Sequence, residues 1–435
     1  MLRHGNCEMF DLVEEQSSFQ EGVMEKGKWL TDKYWVAPMN YAEEVRAWFD
    51  LPERVYIHDV TLREAEQAPH VALRPEEKIR IYEALDELGV HSVEIFPIVS
   101  EEDTEVAKEL VRLRKTRKTK VYFLCRWHKE EVDFALEVGA DGVIIEGTAD
   151  PWFAKVNLGV TADEMYKRYV ETTAHAKRNG IFTVVMPWDT CRAPLDFVER
   201  LYKGIVYEGG ADHIVVADTH GSSLPWAIYA FIKKVRSWVP GVPVEMHCHN
   251  DCGLATAIML SAIAAGAQVV HTSFCSLGER VGNAATEEVA LDVEMLLGIP
   301  TGIKLEKLYP TAQMIAEMAK MPIARNKPIV GENEFTYESG MVVYVIEKMA
   351  ALGERPYSVF LPELIGRRGY KVVIGKGTGK SVVAKKLEQL GIKVNQEQLG
   401  EITRRIKREA GLRKWSLPDE AIEAIAREVL ESWKE

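Results

Sequence analysis

Eight short runs rich in β-branched and aromatic residues recur between Arg54 and Pro300, and helix-like segments separate them. The runs are VYIHDVTL, SVEIFPI, KVYFLC, GVIIEG, FTVVMPW, HIVVAD, VPVEMHC and AQVVHTSF. Strands that alternate with helices indicate βαβ units and a parallel sheet. Eight repeats within about 250 residues favour a closed barrel over an open sheet. The sequence therefore predicts an α/β protein with a (β/α)8 TIM barrel, whose chemistry belongs at the carboxyl ends of the strands.

The chain divides into four predicted segments. Residues 1–50 are polar and aromatic and form an N-terminal arm, and residues 51–303 form the catalytic barrel. Residues 304–365 are expected to be a linker and helical subdomain, with helices over LEKLYPTAQMIAEMAKM and Tyr337–Leu352. Residues 366–435 contain a short strand (YKVVIG) and charged amphipathic helices, which indicates a small, mostly helical C-terminal appendage.

Composition excludes several classes of function. The chain has 54 basic and 66 acidic residues, a net charge of −12, which argues against general binding to nucleic acid or to an anionic membrane. The 6 cysteines are too few and too scattered for a disulfide scaffold. No apolar run approaches a membrane span, and the first residues lack the apolar core of a signal peptide. We therefore expect a cytoplasmic protein with reduced thiols.

The segment HCHND ends the seventh predicted strand. The period of two along a strand places His247 and His249 on one face and Cys248 on the other. Two imidazoles at a strand end can hold a divalent metal ion if an anionic partner completes the site. The alternative, in which the two histidines fill or cap the core, stays open at this point.

The segment HDVTLREAEQ ends the first predicted strand, and it supplies candidates for that anionic partner. Strands one and seven open onto the same barrel mouth, so Glu64 could complete the metal site. Arg63 would then lie beside the metal as a fixed cation able to hold an oxyanion. A surface ion-pair cluster at a helix start is the alternative.

The segment CSLGERVGNAATEE follows the eighth predicted strand. Gly278 and Gly282 permit tight backbone turns, and Glu279 is expected to project into the mouth. Asn283 could contact a metal-bound water or could cap the next helix, and both roles stay open.

These three motifs together resemble those of the metal-dependent acyl-CoA Claisen-condensing family. This family contains the isopropylmalate, homocitrate and citramalate synthases, in a superfamily with HMG-CoA lyase. Members carry TLRDGEQ or TLREGEQ, HxHND and GxGERxGNA, and this chain has TLREAEQ, HCHND and SLGERVGNA. The resemblance covers about residues 55–395.

The resemblance implies a divalent ion (Mg, Mn or Zn), with acetyl-CoA as co-substrate and a 2-oxo acid as acceptor. It implies that the metal ligands are Glu64, His247, His249 and Asn283. It also assigns roles in catalysis to Arg63, which would stabilise the enolate, and to Glu279. Family positions that hold the oxo acid match Arg126 and Thr219, and a supporting tyrosine matches Tyr357. The family commonly forms homodimers in which the C-terminal region reaches the neighbouring barrel.

The chain departs from the family pattern around the substrate. A PED segment usually presents a glutamate on strand five, where this chain has PWD with Trp188. Phe153 stands where a substrate-binding histidine is usual, and Val342 stands where the linker usually has a histidine. Tyr337 or Tyr344 could replace that histidine, so the base stays unassigned. The exchanges predict a bulkier or more apolar acceptor pocket, or a different reaction.

The resemblance and the motifs together predict an acyltransferase that condenses an acyl-CoA with a 2-oxo acid and releases CoA. Two alternatives remain at this stage. One is a metal-dependent carbon–carbon lyase or aldolase of the same superfamily, which the missing histidine favours. The other is a catalytically degenerate barrel with a binding role, against which the retained Arg63, Glu64, His247, His249 and Glu279 argue.

Overall fold

A closed barrel of eight parallel strands forms the centre of the protein. The computed structural model describes residues 27–352 and 356–433. The strands pair in chain order, and β8 pairs back with β1. They are β1 Tyr56–Asp59, β2 Ser92–Ile95, β3 Lys120–Arg126, β4 Gly142–Thr148, β5 Phe182–Trp188, β6 His213–Asp218, β7 Val244–Cys248 and β8 Val269–Thr272. The predicted (β/α)8 barrel is confirmed.

Helices separate the strands and continue beyond the barrel. The α-helices are α1 Glu43–Arg46, α2 Thr61–Glu64, α3 Pro75–Leu88, α4 Glu101–Arg114, α5 Lys129–Val138, α6 Pro151–Leu158, α7 Ala162–Arg178, α8 Leu195–Tyr207, α9 Pro225–Trp238, α10 Ala255–Ala264, α11 Thr286–Asp292, α12 Leu308–Met318, α13 Gly340–Leu352, α14 Lys380–Gln389, α15 Gln396–Arg413 and α16 Asp419–Ser432. Short 3₁₀ turns are Pro38–Tyr41, Ala65–Gln67, Phe274–Ser276, Leu305–Lys307, Glu332–Phe335 and Pro362–Ile365, and Val293–Leu297 is a π-helix. Among the described residues, no helix is both long enough and apolar enough to cross a membrane.

The ends of α3 show how the sequence determines the bounds of a helix. Pro75 occupies the first turn, where its missing N–H group would have had no helical partner. A Glu77 carboxylate oxygen accepts a hydrogen bond of 2.9 Å from the backbone N–H of Arg74. The helix ends at Gly89, whose φ of 99° is in the left-handed region that favours glycine. A Cβ at this position would lie 2.7 Å from the backbone oxygen of Gly302, so a side chain there would also collide with the chain.

The first strand is shorter than the run VYIHDVTL suggests. It ends at Asp59, because the Asp59 carboxylate accepts a hydrogen bond of 2.9 Å from the Thr61 N–H and starts a helical turn. The other Asp59 oxygen accepts a hydrogen bond of 2.8 Å from the hydroxyl of Thr286. The resulting turn, α2, places Arg63 and Glu64 at the carboxyl end of the barrel.

The interior of the barrel is apolar on one side and polar on the other. Strands β3 to β6 supply an apolar cluster of Tyr122, Leu124, Ile144, Val184, Met186, Val215 and Ala217. Strands β7, β8, β1 and β2 instead supply buried polar side chains, namely Glu245, His247, His271, His58, Ser92 and Glu94. Bulky branched residues usually fill a barrel of this kind, so the polar half is a departure that needs compensating contacts.

The regions outside the barrel pack in different ways. The hydroxyl of Tyr41 donates to the backbone oxygen of Met295 at 2.7 Å, which holds part of the N-terminal arm on the barrel. Strands β9 Thr336–Tyr337 and β10 Lys371–Val372 form a small parallel pair, and α14, α15 and α16 share a second hydrophobic core. The C-terminal appendage is therefore mostly helical, as predicted. The four segment boundaries stay predictions, and residues 1–26 of the arm lie outside the described residues.

Asp292, at the end of α11, gives the fold a testable dependence on pH. Burial raises the pKa of this half-buried carboxyl from 3.8 to about 7, and nearby Glu288 adds to the rise. The folded protein therefore holds this proton more tightly than the unfolded chain, so the free energy of unfolding falls as the pH rises from about 4 to about 7. We expect Asp292→Asn to raise the free energy of unfolding by about 1–2 kcal/mol at pH 8 and by much less at pH 5.

Guanidinium unfolding of the wild type and of Asp292→Asn, each at pH 5 and pH 8, measures this change in the free energy of unfolding. Asp32→Asn is the matched control, because Asp32 is exposed. We expect this replacement to leave the free energy of unfolding unchanged at both pH values. Equal stabilisation by Asp292→Asn at pH 5 and pH 8 would contradict the assignment.

Candidate active site

Glu64, His247 and His249 converge at the carboxyl end of the barrel and are here called the mouth cluster. Nε2 of His247 lies 3.4 Å from Nε2 of His249. The same two nitrogens lie 3.6 Å and 3.8 Å from Oε1 of Glu64. All three side chains are buried. The short strand β7 and the turn α2 thus bring together residues 183 or more positions apart in the chain.

The geometry of the mouth cluster fits a divalent metal ion. Metal–ligand bonds of about 2.0–2.2 Å around one ion place neighbouring donor atoms roughly 3.0–3.5 Å apart, close to the observed separations. Burial lowers the pKa of His247 and of His249, and each imidazole is therefore neutral at pH 7 with a lone pair available. Two neutral imidazoles and a carboxylate are a donor set that suits Zn, Mn and related ions. The donor types and their separations thus make the mouth cluster a candidate metal site.

Asn283 lies against the mouth cluster. Its Nδ2 atom is 3.4 Å from Nε2 of His247, and its buried Oδ1 atom has no hydrogen-bond partner among the described residues. The loop reaches this position because Gly282 has a φ of 86° and passes so close to Ser276 that a Cβ would lie 1.5 Å from its backbone oxygen. Helix α11 has Ala285 as its N-cap and no side-chain cap, so the capping role considered for Asn283 is wrong.

The Arg63 guanidinium is buried between two carboxylates. Nη1 donates to Glu64, and Nε donates to Oε1 of Glu94 at 2.6 Å. Burial lowers the pKa of Arg63, but the two carboxylates outweigh burial and hold the pKa above its ordinary value. Nη2 of Arg63 is buried and has no hydrogen-bond partner among the described residues. One donor of a fixed cation is therefore free beside the mouth cluster.

A cavity of about 330 Å³ opens over the mouth cluster and Arg63. Four further residues predicted from the sequence line it, namely Phe153, Trp188, Thr219 and Glu279, and His220 lines it as well. The rings of Phe153 and Trp188 meet edge to face at 4.8 Å between centroids. The Thr219 hydroxyl accepts a hydrogen bond of 2.8 Å from the Asp189 N–H, which fixes its position. The aromatic residues that replace the family's polar groups therefore face the same space as the mouth cluster.

Three positions weighed from the sequence do not line this cavity. Arg126 ends β3 but is exposed, and its guanidinium pairs with Glu131 at 2.6 Å. Tyr357 is 39% exposed and packs against Tyr337 near the C-terminal appendage. Val342 lies on α13, also outside the cavity.

Sequence reasoning missed Glu146, which lines the cavity near the end of β4. It has no hydrogen bond or ion pair among the described residues. Burial raises its pKa to about 7, although Arg63 opposes the shift. The signal was present in the sequence, because GVIIEG carries one acidic residue in an otherwise apolar strand. An acid in that setting is either paired or functional.

Comparison with known families and relatives agrees with this geometry. The profile of the HMGL-like family matches residues 54–315, and a homocitrate synthase post-HMGL domain-like profile matches residues 329–414. The chain is 36% identical to the homocitrate synthase AksA of Methanopyrus kandleri, over 90% of this chain and 96% of the relative. It is 37% identical to the 2-isopropylmalate synthase of Methanocaldococcus jannaschii, over 88% of this chain and 73% of the relative.

A solved structure shares the barrel. The HMG-CoA lyase from Acinetobacter baumannii in complex with coenzyme A and 3-methylmalate superposes with a TM-score of 0.55 at 19% identity. The match covers 62% of this chain and 93% of the lyase. At this identity the likeness supports the fold alone.

Removal of the Glu64 charge tests the mouth cluster. We expect Glu64→Gln to weaken Mn²⁺ binding at this cluster by about 100-fold or more, because loss of even an outer contact costs 10–100-fold. Titration followed by the electron paramagnetic resonance of free Mn²⁺ measures the affinity. His220→Asn is the matched control, since His220 lines the cavity but lies outside the cluster. Unchanged affinity in Glu64→Gln would contradict the assignment.

Proposed function

Because this chain belongs to the HMGL-like family, we propose that it joins the methyl carbon of acetyl-CoA to the ketone carbon of a 2-oxo acid. Water then hydrolyses the thioester of the condensed product, which releases CoA and the new hydroxy acid. The relatives that match over most of their length are named as homocitrate and 2-isopropylmalate synthases. The observation that carries the proposal is the mouth cluster beside the free donor of Arg63.

The mouth cluster would hold the divalent ion, with Glu64, His247 and His249 as ligands and Asn283 beside them. Such an ion supplies Lewis-acid polarisation of the acceptor's ketone. The donor set admits Mg, Mn or Zn, and the two imidazoles favour the latter two. Glu279 supports the cluster from its own loop, since its backbone N–H lies 3.5 Å from Oε2 of Glu64.

Arg63 would stabilise the negative charge that develops during the reaction. Deprotonation of the thioester methyl group places charge on the thioester oxygen, and a fixed cationic donor lowers the barrier. Nη1 and Nε of Arg63 are held by Glu64 and Glu94, which orients the guanidinium before substrate arrives. The buried Nη2 is the donor left for the oxyanion.

Glu146 would act as the base that removes the methyl proton. It lines the same cavity as Arg63, it is free of protein partners among the described residues, and its pKa of about 7 suits proton transfer near neutral pH. This assignment explains how the chain can lack the family's glutamate at Trp188 and its histidine at Val342.

Trp188 and Phe153 would select the acceptor. Their edge-to-face rings form an apolar wall of the cavity, which favours a 2-oxo acid with an aliphatic side chain over one with a second carboxylate. Thr219 would hold the acceptor's carboxylate. Arg126 would join it only after its guanidinium leaves Glu131.

The chain would form a homodimer, in which α13 and Tyr357, which do not reach the chain's own cavity, contact the second copy. Met341 and Tyr344 on α13 are 78% and 61% exposed, and Tyr357 is exposed nearby. An apolar helix face of this kind fits a second copy of the chain. Tyr357 would then serve the neighbouring barrel, as the family resemblance implies.

The direct test supplies the metal-replete protein with acetyl-CoA and a panel of 2-oxo acids, and follows products by mass spectrometry. We expect free CoA and a new hydroxy acid that carries two carbons more than the acceptor. We expect kcat/KM for an aliphatic acceptor such as 2-oxoisovalerate to exceed that for 2-oxoglutarate by about 10-fold or more. The second carboxylate of 2-oxoglutarate would be buried without a partner, which costs several kcal/mol. Absence of product from every acceptor, with metal bound, would contradict the proposal, and cleavage of a hydroxyacyl-CoA would indicate the lyase.

Replacement of Glu146 tests the base. We expect Glu146→Gln to lower kcat by about 100- to 10,000-fold with little change in the KM of the 2-oxo acid, because general base catalysis contributes that range. Glu130→Gln is the control, because Glu130 is exposed on α5 and lies outside the cavity. Deuterium exchange into the methyl group of acetyl-CoA provides a second measurement. Normal exchange in Glu146→Gln would assign the base to another residue.

A further inference from the structure

A second set of metal-ligating side chains lies deeper in the polar half of the barrel. His58 on β1, Glu94 on β2 and His271 on β8 offer donor atoms that all lie within 4.8 Å of one another. We propose that these three residues, here called the inner cluster, form a second binding site for a divalent cation, distinct from the mouth cluster. This inference does not depend on the proposed reaction.

The barrel places the three side chains in one layer. β1 lies between β2 and β8, and the Cα atom of His58 is in register with that of His271. Nε2 of His58 lies 3.1 Å from Oε2 of Glu94, a separation suited to two donors of one ion with bonds of about 2.0–2.2 Å. The ring centroids of His58 and His271 are 4.5 Å apart. Neighbouring strands thus supply two nitrogens and one oxygen.

Each ligand of the inner cluster is held by an outer partner. Nδ1 of His58 lies 2.7 Å from the Ser92 hydroxyl, and Oε1 of Glu94 accepts from Arg63 at 2.6 Å. Nε2 of His271 lies 2.8 Å from Oε2 of Glu245. Histidine ligands of metal ions usually have their second nitrogen held in this way, which fixes the ring and the tautomer.

One nitrogen of the inner cluster has no hydrogen-bond partner in the described part of the chain. Nδ1 of His271 is buried, and no described residue offers it a hydrogen bond. Because Nε2 of the same ring is engaged by Glu245, Nδ1 is the atom available to a cation. A buried polar atom without a partner destabilises the fold, and a bond to a metal ion would remove that cost.

The charge state of the inner cluster suits a cation. Burial raises the pKa of Glu94, but Arg63 and His58 outweigh burial and bring it to about 2, so this ligand is a carboxylate at pH 7. Burial also lowers the pKa of His271, and that ring is neutral. Two imidazole nitrogens and one carboxylate form a donor set that suits a borderline ion such as Zn²⁺ better than Mg²⁺ or Ca²⁺, which prefer oxygen ligands.

An entry path reaches the inner cluster from the end of the barrel opposite the mouth. A cavity of about 240 Å³ is lined by His58 and Ser92 together with residues at the amino ends of the strands, such as Tyr56, Phe182 and Val269. A cation can therefore load without passing through the mouth cluster. The two clusters are close, since the rings of His247 and His271 are 5.5 Å apart between centroids.

A cation in the inner cluster would act on the active site through Glu94. It would fix the Glu94 carboxylate at Oε2 while Oε1 holds Arg63, and would tie β8, β1 and β2 together. The inner cluster is thus a positioning device for the Arg63 guanidinium, and a structural site rather than a second reaction centre.

Metal content of the intact protein tests the proposal. Protein stripped by a chelator, reloaded with Zn²⁺ and freed of excess metal by gel filtration is analysed by mass spectrometry of the metal. We expect two ions per chain in the wild type and one in His249→Ala, which alters only the mouth cluster. We also expect one ion in His271→Asn and one in His58→Asn. The double variant His249→Ala with His271→Asn should hold none.

His91→Asn is the matched control, because His91 lines the same lower cavity but lies outside the inner cluster, and it should keep two ions. Circular dichroism checks that each variant folds, and the visible bands of Co²⁺-loaded His249→Ala report the ligands of the remaining ion. No ion in folded His249→Ala would overturn the proposal, because only the inner cluster is intact in that variant. Unchanged metal content in both folded inner-cluster variants would also overturn it.

Discussion

The candidate site depends on the burial of the Arg63 guanidinium between two carboxylates. An unpaired charge at this depth would cost several kcal/mol, so Arg63 requires both Glu64 and Glu94. The same contacts orient Glu64 toward the two histidines of the mouth cluster and leave Nη2 free beside it. One buried guanidinium thus fixes the position of a proposed metal ligand and supplies a proposed oxyanion donor. The contacts of Arg63 therefore link the motif TLRE to the motif HCHND, which lies more than 180 positions later in the sequence.

Buried charges are also paired deeper in the polar half of the barrel, toward the amino ends of the strands. Glu94 contacts His58, and Glu245 contacts both His271 and His213, so each of these two buried carboxylates has a histidine partner. The apolar half, from β3 to β6, packs without such partners. The barrel therefore places its chemistry on strands β7, β8, β1 and β2, while Glu146 on β4 and Trp188 on β5 face that chemistry across the cavity.

The sequence allowed prediction of the barrel and of the mouth cluster for a clear physical reason. Strand patterns are local, and residues that end parallel strands must meet at one end of a barrel. Arg126 also ends a barrel strand, yet its guanidinium forms an ion pair with Glu131 and does not line the cavity. The strand pattern does not determine the direction of this side chain. Glu146 and the inner cluster were missed because strand register decides which side chains face inward. His58 and His271 become neighbours only when β8 closes onto β1.

In the proposed reaction, Glu64, His247 and His249 would hold one cation, and the 2-oxo acid would bind at this cation in front of Arg63. The most direct measurement is anomalous diffraction at the manganese edge, from crystals grown with Mn²⁺ and a 2-oxo acid. We expect an anomalous peak about 2.0–2.2 Å from the donor atoms of these three residues, with the 2-oxo acid bound next to it. No anomalous peak at the mouth cluster, or an acid bound away from it, would contradict the account.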